Sequence, residues 1–137
     1  MRAPWSVVLL CVLAAACGRG NGKAAADPVP DRSAFVVRGS EMSGNVLDGL
    51  RSRVPGMSVV RQSGTCPGII FRGQRSAQFQ GNPSIYIDEV LMGDTCILTQ
   101  VPSSDVVYVE IYTGGTSGKS GFQRNPFGSI FVYRIRS

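Results

Sequence analysis

Val46-Leu47-Asp48-Gly49-Leu50-Arg51-Ser52-Arg53-Val54-Pro55-Gly56-Met57-Ser58-Val59 holds two different periodicities. Through Val54 the apolar residues Val46, Leu47, Leu50 and Val54 recur three and four apart, the spacing of one helix face. Pro55-Gly56 then stops the helix, because proline lacks the N–H that the next turn needs and glycine turns the chain. Met57 to Val60 reads as a short strand. The helix is expected over 43–54, with Ser43 or Asn45 free to cap it.

Outward from this switch the chain is mostly strand and loop. Residues 34–37 (Ala-Phe-Val-Val) form a short apolar run before the helix. After it, residues 64–68 read as a loop, 69–72 as a second strand and 73–82 as polar loop. Ser84-Ile85-Tyr86-Ile87-Asp88 and Glu89-Val90-Leu91 form an apolar strand region broken by charge. Residues 96–100 fit no single template. Val106 to Tyr112, rich in Val, Tyr and Ile, is the clearest strand. Residues 113–126 are Gly/Ser loop, and 128–134 close with another strand. One or two helices with four to five strands define a small α+β domain with a mixed sheet.

The chain has 137 residues, 43% of them hydrophobic and 17% charged, which fits one ordinary core and no second. It contains no histidine, so Ser-His-Asp and Cys-His nucleophiles, imidazole proton shuttles and His-bearing zinc sites are all excluded. A net charge of +5 is too mild for the basic face of a nucleic-acid binder.

The N-terminus carries address rather than fold. Met1-Arg2 is a small basic start, and Trp5 to Ala16 is almost unbroken apolar sequence. That run is too short for a bilayer core, which needs roughly 20 residues, but it suits a secretory signal. Leu13-Ala14-Ala15-Ala16-Cys17 resembles a bacterial lipobox, with Leu four rather than three before the cysteine. Cys17 would then be lipidated; plain cleavage after Ala16 is the other reading. Residues 18–31 have one large apolar residue, Val29, and too little to bury for order, so they read as a flexible tether. The expected division is 1–16 signal peptide, 17–33 lipidated cysteine and tether, and 34–137 folded domain. Gly18 after the cysteine fits sorting to the outer membrane, with the domain facing the periplasm. Of the remaining cysteines, Cys11 lies in the signal. Cys66 and Cys96 form an even pair in an oxidising compartment. A bridge would close a loop of about 30 residues and contribute roughly 3–4 kcal/mol on the chain-entropy model. Two free thiols are the alternative; a redox or metal pair is disfavoured by the separation and the lack of histidine.

The motif order resembles the plug domain of TonB-dependent outer-membrane receptors. Val46 to Val59 is similar to the family's LxxLRGRVPGVxV, and Ile70-Phe71-Arg72-Gly73-Gln74-Arg75-Ser76 to its IRIRGxxS. Asn82-Pro83-Ser84-Ile85-Tyr86-Ile87-Asp88 resembles NPLYVIDG, and Ser104 to Gly114 resembles SDIESIEVLKG. Phe127-Gly128-Ser129-Ile130-Phe131-Val132-Tyr133 is similar to the closing GGVIxIxT strand. The likeness runs from about residue 43 to 134. It departs at Glu89, where the family has glycine, and at Thr113, where lysine is common. No clear TonB box precedes the helix; Phe35-Val36-Val37 is the nearest candidate. In the family a barrel of about 22 strands follows the plug, and here the sequence stops at Ser137, so the expectation is a domain that does not transport by itself.

The resemblance implies a non-enzymatic module, without cofactor or resident metal, that binds a barrel partner, TonB or a small ligand. Arg72 and Arg75 are the expected partner contacts, because similar arginines of plug domains face acidic groups on the barrel wall and a guanidinium binds carboxylates bidentately. The alternative is an envelope lipoprotein whose domain makes structural protein–protein contacts without a transport role. Three other features carry less. Gly114-Gly115-Thr116-Ser117-Gly118-Lys119-Ser120 ends like a phosphate-binding loop, but Thr113 stands where the motif needs glycine and no helix-forming sequence follows. Asp88 and Glu89, adjacent on an expected strand, would point to opposite faces and share no chemistry. Asp94 and Asp88 are at most a loose cation pair. Phe131 is expected in the core and Phe127 beside Pro126 at the surface.

Overall fold

In the computed structural model, which describes residues 29–61, 65–72, 81–114 and 118–136, the alternation of Val106–Tyr112 becomes the longest strand. The elements are β1 (Phe35–Arg38), α1 (Val46–Arg53), β2 (Ser58–Val60), β3 (Gly68–Ile70), β4 (Ser84–Ile87), β5 (Val90–Met92), α2 (Ile97–Gln100), β6 (Val106–Tyr112) and β7 (Ser129–Arg134). Short 3-10 turns lie at Gly39–Glu41 and Ser103–Asp105. Five strands form one sheet in the order β1-β6-β7-β4-β5, while β2 and β3 pair with each other as a separate ribbon. The sheet is mixed: β4 runs parallel to β7, and its other pairs are antiparallel. The α+β class and the four to five strands expected for the sheet agree with this architecture.

Because side chains alternate along a strand, the sheet sorts its residues onto two faces. Val37, Ile85, Ile87, Val109, Ile111, Ile130 and Val132 share one face, packed against Val46, Leu47 and Leu50 of α1 and Leu98 of α2. Tyr86, Tyr108, Tyr112, Phe131 and Tyr133 form a second buried cluster on the other. Both clusters are buried, but only the aliphatic one lies under helices.

The helix is shorter than its pattern. Gly44 sits at φ +75°, outside the helical region, so α1 starts after it and Asn45 rather than Ser43 is the cap. The Asn45 Oδ1 accepts from Asp48 N–H at 2.9 Å, a bond worth about 1 kcal/mol. Gly49 is required inside the helix, because a β-carbon there would fall 2.6 Å from Met42 Cβ. The start of α1 is tied to the following segment by Val46 N–H to Val101 C=O at 3.0 Å and Ser103 N–H to Gly44 C=O at 2.9 Å. Residues 96–100 resolve into the short helix α2, with Leu98 fully buried.

The reading of Asp88 and Glu89 as strand residues is corrected. They are the two central residues of the β4–β5 hairpin, with φ 48° and 71°. A two-residue turn that continues the strand twist needs positive φ at both positions. Apolar sequence on either side, with no glycine at the corner, hid the turn.

Candidate partner-binding site and a buried ion pair

Arg72 follows β3 and is exposed at the end of that strand. Its stem crosses Gly56, whose φ of +76° and missing side chain both matter: a β-carbon at 56 would come 2.6 Å from Arg72 Cβ. The Pro-Gly stop of α1 thus also seats the arginine. Phe71 beside it is buried, at 1% exposure, and packs over Gly128. The guanidinium is therefore presented outward from a fixed backbone, the arrangement that suits a planar carboxylate contact. Arg75, its expected companion, and Cys17 lie outside the described residues. Cys66 and Cys96 are joined by a disulfide with a Cα–Cα distance of 4.9 Å. It clips the segment before β3 to the start of α2. Asp94 lies within reach of the two sulfurs, but both are consumed by the bridge.

Asp88 and Asp94 each have a protein partner of their own. Both carboxylate oxygens of Asp88 accept from Arg134, from its N–H at 2.9 Å and its Nε–H at 2.7 Å. Asp94 instead accepts from Cys96 N–H at 2.9 Å. Phe127 is half-buried, its ring lying against Gly81 where a β-carbon has no room, so it is not a free surface aromatic. Phe131 is buried, as expected, stacked on Tyr86 at 4.4 Å between centroids.

The most constrained chemistry lies in residues the sequence reading passed over. Glu110, on β6, is completely buried on the aromatic face between Tyr108 and Tyr112. Lys119, from the loop that mimics a phosphate-binding motif, turns inward and meets Glu110 Oε2 at 2.9 Å. Its ammonium also donates to the Tyr133 hydroxyl and lies 5.2 Å from the centre of the Phe131 ring. A lysine committed in this way is not available to a phosphate, and no helix follows it among the described residues. Glu110 Oε1 accepts from Asp31 N–H at 2.6 Å, and the Tyr112 hydroxyl donates to Asp31 Oδ2 at 3.1 Å. The last residues of the expected tether, from Asp31 on, are therefore laid against the sheet.

The electrostatics follow from this packing. Burial pulls the Lys119 ammonium down, but its hydrogen bonds to Tyr133 and Glu110 outweigh that and hold its pKa above the usual lysine value. Burial, then the nearby Glu110 charge, pushes the Tyr112 phenol well up; burial also raises Tyr133. Asp31 is lowered, chiefly by the Ser33 N–H that it accepts. The result is a buried cluster in which Lys119 and the two tyrosines hold their protons firmly. One signal could have found it: Glu110 shares its strand face with two tyrosines, so it needs a cation, and the chain has only two lysines, Lys23 and Lys119.

The architecture is thus a mixed five-stranded sheet with a separate two-stranded ribbon and an exposed arginine at the end of that ribbon. The model of the TonB-dependent receptor plug domain matches residues 26–125, and the chain belongs to that family. Plug domains of these receptors are non-enzymatic transport components that sit within outer-membrane barrels. The fold is similar to parts of the RagAB peptide importer in its closed-closed state, at TM-score 0.57 and 16% identity over 78% of this chain and 13% of that one. Its open-open state gives TM-score 0.57 and 18% identity over 74% of this chain and 12% of the other. A further structure of the RagAB peptide transporter gives 0.58 and 17%, covering 78% and 13%. The chain thus spans about an eighth of the length of these solved neighbours. No curated protein matches it. Among the described residues no helix is long and apolar enough to cross a membrane.

Proposed function

We propose that this plug domain faces the periplasm at the outer membrane, held there by a lipid on Cys17, and works by binding a β-barrel partner or a small ligand. The family match over 26–125 carries this reading, supported by a sheet that follows the plug arrangement. Arg72 and Arg75 would meet carboxylates of the barrel wall, and the fixed, outward setting of Arg72 supports that role. The solved neighbours are a peptide importer, so short peptides are the first ligands to try. The chain's own contribution is binding and positioning, with no chemical step.

The test is a C-terminally tagged copy expressed at native level, extracted in mild detergent and identified with what co-purifies. A barrel protein or TonB in stoichiometric yield, lost in an Arg72→Ala/Arg75→Ala double variant, is the expected result. Recovery alone, or with unrelated envelope proteins, would overturn the barrel reading and leave a structural interaction module. Mass spectrometry of the N-terminal peptide checks the lipid on Cys17 independently.

A further inference from the structure

Glu110 holds two separate pieces of chain, one on each oxygen. Oε1 takes the backbone N–H of Asp31, and Oε2 takes the Lys119 ammonium. Asp31 is the one residue through which residues 31–34 reach this carboxylate. The segment also takes the Tyr112 hydroxyl on Asp31 Oδ2 at 3.1 Å and packs Ala34 on the aromatic cluster. Its other bonds are internal: Asp31 Oδ1 accepts from Ser33 N–H and Oγ–H, both at 2.9 Å, and Asp31 C=O accepts from Ala34 N–H at 3.2 Å. Arg32 and Ser33 face solvent. Behind it, β1 is an edge strand, paired on one side only.

We propose that residues 31–34 are a detachable strap, and that Glu110 is the clasp through which the strap sets how firmly Lys119 and its loop are held. With the strap seated, both oxygens of the carboxylate are satisfied and Lys119 is enclosed, its side chain 18% exposed. Lifting the strap strips Oε1 of its donor and admits water beside a buried charge. Water then competes for the same carboxylate that holds Lys119, and the loop loosens. Coupling of this kind is reciprocal, so a ligand or partner that draws on the loop also loosens the strap. The chain before the strap leads to the expected tether, which makes this a route from the N-terminal segment to a loop on the same aromatic face of the sheet.

Lysine labelling reads it directly, because the chain's other lysine, Lys23, is an internal reference. The full chain is trace-labelled with acetic anhydride and the ratio of Lys119 to Lys23 modification measured for the wild type and two variants. Asp31→Ala keeps the N–H to Glu110 and removes the carboxylate that Tyr112 and Ser33 hold. Asp31→Pro removes the N–H as well. Losing a hydrogen bond to a charged group should raise the relative reactivity of Lys119 by about tenfold or more in Asp31→Pro. Asp31→Ala should give a smaller rise. Hydrogen exchange in β7 should stay at the wild-type rate in both. Unchanged Lys119 reactivity in both variants overturns the proposal. So does a rise matched by faster exchange in β7, which would make Asp31 a support of the whole fold rather than a clasp for one loop.

Discussion

The two faces of the five-stranded sheet are equally buried but differently built. The aliphatic face is Val, Ile and Leu under two helices, each side chain touching several others, and no contact there depends on charge. The aromatic face is four tyrosines and a phenylalanine, covered by a loop and a strap, with a glutamate at its centre. Burying a carboxylate costs far more than burying a leucine unless a partner cancels it. One face is thus secured by many small contacts, the other by one pair on which several contacts converge. Losses on the first stay local in kind, whereas losses on the second change the charge state of the interior.

The largest effect should come from the aliphatic face. Leu50→Ala, at a fully buried position against the sheet, should cost about 4 kcal/mol in urea unfolding, within the usual 2–5 for such cavities. A cost under about 1.5 kcal/mol would mean that α1 is not the main cover of the core. Lys119→Met should cost about 3 kcal/mol, because it leaves Glu110 buried and unpaired. Adding Glu110→Leu should recover most of that loss, since an apolar pair of similar volume has no charge to cancel. If the double variant is no better than the single one, the pair is not the keystone of its face.

A pH series separates the faces further. Tyr112, Lys119 and Tyr133 all titrate above their ordinary values in the folded protein. The fold therefore holds their protons more tightly than the unfolded chain does. Stability from these groups is complete below about pH 10, their unfolded range, and is lost as pH climbs through their folded values. Urea midpoints measured from pH 8 to 11 should fall at the alkaline end, and the fall should shrink in the Glu110→Leu/Lys119→Met double variant. Asp31 works in the opposite direction, its contribution fading only as pH drops below about 4. The smallest effect lies off both faces. Glu89→Gly should stabilise by roughly 1 kcal/mol, since glycine takes φ 71° without the penalty a side chain meets there.

What the sequence disclosed follows from how local each signal is. Helix α1 and strand β6 are written in the spacing of their own residues, and Pro55-Gly56 marks the boundary between helix and ribbon. The family motifs picked out Arg72, and the even pair of cysteines left after the signal pointed to the Cys66–Cys96 bridge, without any contact information. The β4–β5 corner was misread because Asp88-Glu89 offers no glycine to announce positive φ. The pairing of β2 with β3 alone, apart from the main sheet, depends on which edges meet in space. Glu110 and Lys119 were missed for a similar reason: a loop of glycine and serine gives no hint that one of its two cations, Lys119, turns inward. Asp31 sits in sequence composed like a tether, and the carboxylate and tyrosine hydroxyl it meets, 79 and 81 residues away, give it a fixed place.

Strand β7 stands between β6 and β4, in the middle of the sheet, yet it is the last element in the chain. Every earlier strand of the main sheet must wait for it: until Ser129–Arg134 arrives, β1 with β6 and β4 with β5 are two disconnected hairpin-like fragments. Such late, long-range closure makes for slow folding and leaves the partial chain without a finished core. The core therefore closes only when β7 enters the gap between β6 and β4.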